Sequence, residues 1–131
     1  MGNSAKIYSA TVYAGGACLI HALAKRLNGA NLEPEDLVSI RYSVHKLGQT
    51  AMSQYEAVAG HNNVELDISK VFFTAESRTY NGTAVLTNFE WLIDTSEHDA
   101  FPTRNAYYEI RIDFEASDEF VSPIVYQVKA V

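Results

Sequence analysis

The clearest hydrophobic pattern in this chain lies in residues 107–114, where apolar and polar side chains alternate. The apolar positions are Tyr108, Ile110, Ile112 and Phe114, and the positions between them are Tyr107, Glu109, Arg111 and Asp113. Because successive side chains of a strand point to opposite faces, this pattern predicts a strand with one face in a core and the other in water.

Similar β-type patterns recur along the rest of the chain. They predict further strands at residues 6–13, 38–44, 64–68, 89–93 and 124–130. The dipeptides Asn28-Gly29 and Asn81-Gly82 tolerate positive φ angles and predict tight turns between strands. Residues 17–25 fit a helix by their Ala and Leu content and a strand by alternation, and the β character of the other segments favours the strand.

Two short helical turns are expected between these strands. Residues 33–37 have Pro34 where a first helical turn accommodates proline. Ser69 is placed to cap a short helix over residues 70–75, because a serine hydroxyl accepts hydrogen bonds from the free amides at a helix start.

The order of these elements predicts an all-β fold. About seven or eight short strands with turn signals between them, and no regular βαβ spacing, favour an antiparallel immunoglobulin-like β-sandwich with one or two short helical turns. A length of 131 residues fits a single domain over residues 1–131, in which residues 1–5 form an N-terminal arm.

Charge and composition narrow the expected partners. The net charge is −6 and the ten Lys and Arg residues are scattered, which argues against a nucleic-acid surface. No apolar run approaches the ~20 residues that span a bilayer, and no secretory signal precedes the first strand, so no membrane partner is expected. Cys18 is the one cysteine and has no disulfide partner within the chain, which suits a reducing cytoplasm.

The spacing of the histidines gives little indication of a metal site. None of His21, His45, His61 and His98 lies at ligand spacing from another. A metal site would have to be assembled from distant loops, with His61, Asp67 and His98 as the candidates. The interpretation we favour is that these three are solvated loop residues.

Candidate catalytic groups are equally sparse. Cys18 would act as a nucleophile only beside a base, and its apolar surroundings favour a buried core thiol. Glu90 with Asp94, or Glu97 with Asp99, are the carboxylate pairs that glycoside hydrolysis would need, but solvated acidic residues are the simpler interpretation. We therefore expect no enzyme, no catalytic residue, no cofactor and no metal.

The aromatic residues have both structural and binding interpretations. Trp91, between Phe89 and Ile93, is expected to anchor the core between two sheets. A platform for stacking carbohydrate is the alternative. Tyr13, Tyr55 and Tyr107 are the tyrosines expected to be partly exposed.

A set of core positions and turns carries a family resemblance that covers residues 7–130. The set comprises Gly15-Gly16 after the first strand, the strands at 38–44 and 64–66, Trp91 with Asp94, Phe101-Pro102, the strand that contains Tyr107 and Tyr108, and a closing aromatic strand at 120–128. It resembles a group of small immunoglobulin-like proteins encoded in tailed-phage genomes and in bacterial genomes that carry phage-derived genes.

The resemblance implies a non-enzymatic structural protein of a virion, made in the host cytoplasm. It points most directly to a capsid decoration or cement protein that binds the major capsid protein or other virion proteins in many copies and associates with itself. Residues 1–5 would then be held by a neighbouring copy. The alternatives are a tail, baseplate or head-tail connector component, or a carbohydrate-binding module for host attachment.

Overall fold

The computed structural model describes residues 6–48 and 55–131, with side chains from residue 11 onward except that of residue 55. Within these ranges the chain forms nine strands, one 3₁₀ turn and one short α-helix. The strands are β1 (Lys6–Val12), β2 (Leu19–Ala22), β3 (Leu37–Leu47), β4 (Tyr55–Ala57), β5 (Val64–Leu66), β6 (Phe72–Tyr80), β7 (Thr83–Leu92), β8 (Tyr107–Ala116) and β9 (Ile124–Ala130). The 3₁₀ turn is Pro34–Asp36, as expected, and the helix α1 is Ile68–Val71.

The strands form two sheets of unequal width. The large sheet has the order β1-β9-β8-β3-β4, with β5 also paired to β3, and the small sheet has the order β2-β7-β6. Buried side chains from both sheets form one hydrophobic cluster, so the predicted all-β sandwich is confirmed. One pairing departs from the antiparallel pattern, because β1 runs parallel to β9 at the edge of the large sheet.

Aromatic rings join the two sheets across the core. Phe114 of β8 makes edge contacts with Phe72 and Phe89 of the small sheet, with ring centroids 6.0 and 5.4 Å apart. The ring of Tyr42 in β3 lies 4.4 Å from that of Trp91 in β7. Trp91 is 7% exposed, so its predicted role as a core anchor is confirmed.

The strand β8 has the two faces that its alternating pattern predicts. Its four apolar positions, Tyr108, Ile110, Ile112 and Phe114, are all buried, and Tyr107 is exposed on the other face. The ambiguous segment 17–25 also contains a strand, β2, which pairs with β7 and places Ile20 and Ala22 in the core.

A buried amide fixes the chain that follows β2. Asn88 of β7 is fully buried, and its side chain accepts a hydrogen bond from the backbone N–H of Ala24 at 2.8 Å. Its Nδ2 donates to the carbonyl oxygens of Ala24 and Leu32, at 2.9 and 3.1 Å. Each polar atom of this amide is therefore satisfied, and the two ends of the loop around the Asn28-Gly29 turn are held together.

The predicted helix at residues 70–75 is wrong in both its cap and its extent. Asp67, not Ser69, is the cap, because its carboxylate accepts from the N–H of Ser69 at 3.1 Å. The helix ends at Val71, and residues 72–75 belong to β6, whose Phe and Thr side chains favour a strand.

The remaining differences from the sequence predictions are local. In the strand predicted at residues 38–44, the alternation places Val38 on the same face as Ile40, Tyr42 and Val44. A β-bulge between Leu37 and Ser39 shifts the alternation by one residue, so Val38 is 55% exposed and Ser39 is buried instead. β4 adds a short strand that the sequence pattern did not predict. At the Asn81-Gly82 turn, both residues have positive φ, as a two-residue hairpin requires. The predicted N-terminal arm, residues 1–5, lies outside the described residues.

Exchange of Ile110 for aspartate tests the assignment of faces on β8. Ile110 is fully buried, so Ile110→Asp places an unpaired charge in the core and is expected to remove most of a stability that is typically about 5–15 kcal/mol. The matched variant Glu109→Ala, one residue away on the outer face, is expected to change the free energy of unfolding by less than about 1 kcal/mol. Urea denaturation followed by circular dichroism measures both, and equal tolerance of the two changes would contradict the face assignment.

Candidate functional site

A cleft of about 270 Å³ opens between the sheets beside β5. It is lined by Tyr42, Gly60, His61, Val64, Leu66, Trp91, Asp94, Glu97 and His98. These residues come from β3, the β4–β5 loop, β5, β7 and the loop that follows β7. The cleft therefore lies where the large sheet meets the end of the small one.

The unequal widths of the sheets explain why this edge is open. Val64 and Leu66 of β5 pair with Tyr42 and Ile40 of β3, and side chains opposite each other on paired strands share a face. Tyr42 and Ile40 are buried beneath the small sheet, whereas Val64 and Leu66 are only half-buried. The three-stranded sheet thus leaves part of the inner face of β5 uncovered.

A hydrogen-bonded histidine closes the deep side of the cleft. His61 is 2% exposed, its Nδ1 lies 2.7 Å from the hydroxyl of Tyr42, and its Nε2 lies 2.7 Å from the carbonyl oxygen of His98. A carbonyl oxygen only accepts, so Nε2 carries the proton, and in the neutral ring Nδ1 accepts from the tyrosine. Burial, with a smaller effect of the Asp94 carboxylate, raises the pKa of Tyr42 and keeps its hydroxyl a donor.

Gly60 lets the two loops of the cleft approach each other. Its φ is +80°, and a Cβ at this position would lie 2.3 Å from Cδ2 of His98. The imidazole of His98 therefore rests where any other residue would place its side chain. This contact explains why a glycine precedes His61.

The mouth of the cleft carries carboxylates. Asp94 and Glu97 are exposed, and Oδ1 of Asp94 accepts from the N–H of Ser96 at 2.9 Å. The hydrogen bonds from the backbone and side chain of Ser96, together with the nearby His61, lower the pKa of Asp94. Asp94 is therefore ionised at neutral pH.

The structure brings together two of the three candidate metal ligands but not the third. His61 and His98 both line the cleft, whereas Asp67 caps α1. Among the described residues, no group of three or more His, Cys, Asp or Glu side chains is arranged to hold a metal ion. The expectation that His61 is a solvated loop residue is wrong, because its ring is buried and bridges β3 and the loop after β7.

The other candidate catalytic groups have separate surroundings. Cys18 is half-buried against the core, and desolvation raises the pKa of its thiol, which disfavours the reactive thiolate. Glu90 accepts a hydrogen bond from the hydroxyl of Tyr80 and forms an ion pair with Arg78 at 3.2 Å, while Asp94 lies at the cleft. Glu97 lines the cleft with Asp94, and Asp99 is not among its lining residues.

Glu90 belongs to a polar cluster that joins the β6–β7 hairpin to β2 within the small sheet. The rings of His21 and Tyr80 stack with centroids 3.6 Å apart. Arg78 lies 3.8 Å above the ring of Phe73 and also pairs with Glu76 at 2.9 Å. The cluster ties the hairpin end to β2, so its polar groups have a structural explanation.

A second candidate surface lies at one end of the outer face of the large sheet. Hydrogen bonds from Val131 N–H to Val12 and from Ala14 N–H to Val131 place Tyr13 beside Val131. Tyr107 pairs with Lys129, whose Nζ is 5.8 Å from the tyrosine ring centroid. We call Tyr13, Tyr107 and Val131 the outer patch; their exposed fractions are 77%, 42% and 36%.

The exposure of the tyrosines can be compared with the sequence prediction that Tyr13, Tyr55 and Tyr107 are partly exposed. Tyr13 and Tyr107 are exposed, as predicted from the sequence. The side chain of Tyr55, the third predicted tyrosine, lies outside the described residues. The two exposed tyrosines therefore lie on the large sheet, away from the cleft that Trp91 lines.

Comparison with known proteins assigns no family: no family model, no curated protein and no solved structure matches this chain. Within residues 6–48 and 55–131, no helix has the length and apolar character needed to cross a membrane.

The role of His61 is not visible in the sequence. The residue lies 19 positions from Tyr42 and 37 from His98, so no local spacing connects the three. The available signal was Gly60 directly before a histidine in a turn-rich segment, which indicates a close backbone approach but does not name the partner.

Substitution of His61 tests the bridge between the two loops. His61→Ala leaves the Tyr42 hydroxyl and the His98 carbonyl without their partner and is expected to lower the free energy of unfolding by about 2–4 kcal/mol. His98→Ala keeps the carbonyl and removes an exposed ring, so a loss below about 1 kcal/mol is expected. Urea denaturation measures both, and an equal loss in the two variants would contradict the bridge.

The Tyr80–Glu90 contact makes stability depend on pH in a defined direction. The hydrogen bond from Tyr80, with the ion pair to Arg78, lowers the pKa of Glu90 below its ordinary value of 4.5. The stabilisation is therefore complete above pH 4.5 and is lost as the pH falls through the lower pKa of the folded state. The stability difference between the wild type and Glu90→Gln should shrink over that range, and a difference independent of pH would contradict the contact.

Proposed function

We propose that this chain is a non-enzymatic structural protein of a virion, most directly a capsid decoration or cement protein that binds the head lattice in many copies. The observation that carries the proposal is the outer patch, in which Tyr13 and Val131 are exposed side by side and Tyr107 is exposed on β8, opposite Lys129. Aromatic side chains exposed in this way are enriched at protein interfaces, where they supply large contact area at low entropic cost.

The position of the patch supports a lattice contact. The patch lies at the ends of β1 and β9 and at the start of β8. It is therefore beside the free edge of β1, which pairs with β9 on one side only within the described strands. An edge strand presents unpaired backbone groups that a neighbouring chain can bind. Backbone pairing at β1 and aromatic contacts on the adjacent face would act together in an assembly.

The burial of Trp91 and Tyr42 argues against a carbohydrate-stacking platform at the cleft. A stacking platform needs an exposed aromatic face, whereas Trp91 is 7% exposed and Tyr42 is 4% exposed. Binding to a tail, baseplate or connector instead of the head is the alternative, and the following experiment separates the two.

The experiment is co-sedimentation of the purified chain with tailless heads and with isolated tails of the phage whose genome encodes it. The double variant Tyr13→Ser/Tyr107→Ser is expected to bind heads at least about tenfold more weakly than the wild type, since interface aromatics carry much of the binding energy. The control is Leu86→Ser/Leu92→Ser, which removes two exposed leucines from the small sheet and should bind as the wild type does.

Circular dichroism establishes that both double variants are folded before they are compared. Sedimentation with tails and not with heads would move the proposal to the tail. Sedimentation with neither particle, or equal binding by the wild type and the tyrosine variant, would contradict it.

A further inference from the structure

The cleft beside β5 combines apolar walls with a charged mouth. Its walls include the half-buried side chains of Val64 and Leu66 and the indole of Trp91. Its mouth is formed by Asp94, Glu97 and His98. A long side chain that is apolar along its stem and charged at its end would match both parts, because such side chains bury their methylene groups and keep the head polar.

The negative charge of Asp94 and Glu97 at the mouth favours a positively charged ligand. In the part of the chain that the structure describes, the ion pairs of Arg26, Arg41, Arg78 and Arg111 are made with other carboxylates, and none involves Asp94 or Glu97. Asp94 is ionised at neutral pH and is oriented by its hydrogen bond from Ser96. The mouth therefore holds two carboxylates for which the described residues provide no arginine or lysine.

His61 and His98 are the basic residues that line the cleft with these carboxylates, and the charge of His61 acts on Asp94. His61 lies on the buried side, whereas His98 is exposed. The ring of His98 lies against Gly60, and its carbonyl oxygen is already bonded to His61. The ring occupies one side of the mouth and leaves Asp94 and Glu97 as the groups that would receive a ligand.

The size of the cleft limits the ligand. Its volume of about 270 Å³ lies at the lower end of the roughly 300–1,000 Å³ of clefts that enclose whole small molecules. A single side chain that enters from a neighbouring molecule fits this volume better than a sugar chain or a cofactor.

We propose that this cleft binds the side chain of an arginine presented by a partner protein, with the methylene stem against Val64, Leu66 and Trp91 and the guanidinium at Asp94 and Glu97. The planar guanidinium matches carboxylate oxygens in a two-point geometry that the ammonium of lysine does not reproduce. Trp91 is 7% exposed and packs on Tyr42, so it contributes a small apolar contact to the wall and no open stacking face.

This inference is independent of the proposed function. The cleft lies between the sheets beside β5, whereas the outer patch lies on the outer face of β1, β8 and β9. The two claims can fail separately. The chain could bind arginine but no virion particle, or bind a virion particle but no arginine.

The single tryptophan of the chain gives a direct measurement, because Trp91 lines the cleft. The probe is a capped tripeptide, glycine-arginine-glycine, titrated into the full chain while the fluorescence of Trp91 is recorded. We expect a saturable change with a dissociation constant of about 1 mM, which is typical of one isolated side-chain contact.

Three further probes define what is recognised. The same peptide with citrulline has the shape of arginine without its charge and should bind at least about tenfold more weakly. The peptide with lysine should bind more weakly than that with arginine, because it lacks the planar fork. Butylguanidine carries the guanidinium and the methylene stem without a peptide backbone or a second charge; tighter binding of butylguanidine than of the arginine peptide would overturn the assignment to a protein partner.

Variants locate the binding in the protein. Asp94→Asn/Glu97→Gln should weaken binding of the arginine peptide at least about fivefold while the fold is retained, because both groups are exposed. The control Asp113→Asn removes an exposed carboxylate on the outer face of β8 and should bind as the wild type does. Absence of a saturable signal, equal binding of the citrulline peptide, or unchanged binding by the double variant would overturn the proposal.

Discussion

The packing of a three-stranded sheet on a six-stranded one is the constraint on which the rest of this structure depends. Alternate side chains of β3, β8 and β9 form a dry surface that is wider than the small sheet opposite. Where β7 faces β3 and β8, rings such as Phe89 and Phe114 meet and exclude water. At β5 this cover is missing, and the uncovered surface becomes the wall of a cleft.

The loops at that edge compensate for the missing strands. His61 makes one hydrogen bond to Tyr42 of β3 and one to the loop after β7, so a single ring joins the two sides of the cleft. Gly60 removes the side chain that would keep His98 away. The result is an opening at the sheet edge with an apolar interior and an acidic mouth.

The sequence predicted those parts of the fold that depend on local patterns. The alternation at residues 107–114 correctly placed four core side chains of β8, and Asn81-Gly82 correctly located a hairpin turn, because both signals arise from neighbouring residues. The bulge at Leu37–Ser39 and the parallel pairing of β1 with β9 were missed, since each is fixed by the partner strand. The cap at Asp67 was missed because serine and aspartate two residues apart are both good caps, and only the backbone direction decides between them.

The sequence predicted less of the candidate site than of the fold. Trp91 was correctly assigned to the core, yet the same residue lines the cleft, and a pattern of buried positions does not distinguish these roles. Asp94 and Glu97 were considered as catalytic carboxylates, whereas the structure places them at the mouth of a small apolar cleft. His61 was assigned to solvent because a polar residue in a loop is usually solvated, and its two partners become neighbours only when the sheets pack.

Determination of the tautomer of His61 is the most direct test of the hydrogen-bonded bridge that shapes the cleft. A ring held between the Tyr42 hydroxyl and the His98 carbonyl must carry its proton on Nε2 when neutral, and that proton must exchange slowly with solvent. Nitrogen-15 NMR of the imidazole at neutral pH should therefore show a single Nε2–H tautomer for one of the four histidines, and that signal should vanish in His61→Ala. A proton on Nδ1, or rapid averaging between the two tautomers at His61, would show that the ring does not bridge the two sides of the cleft.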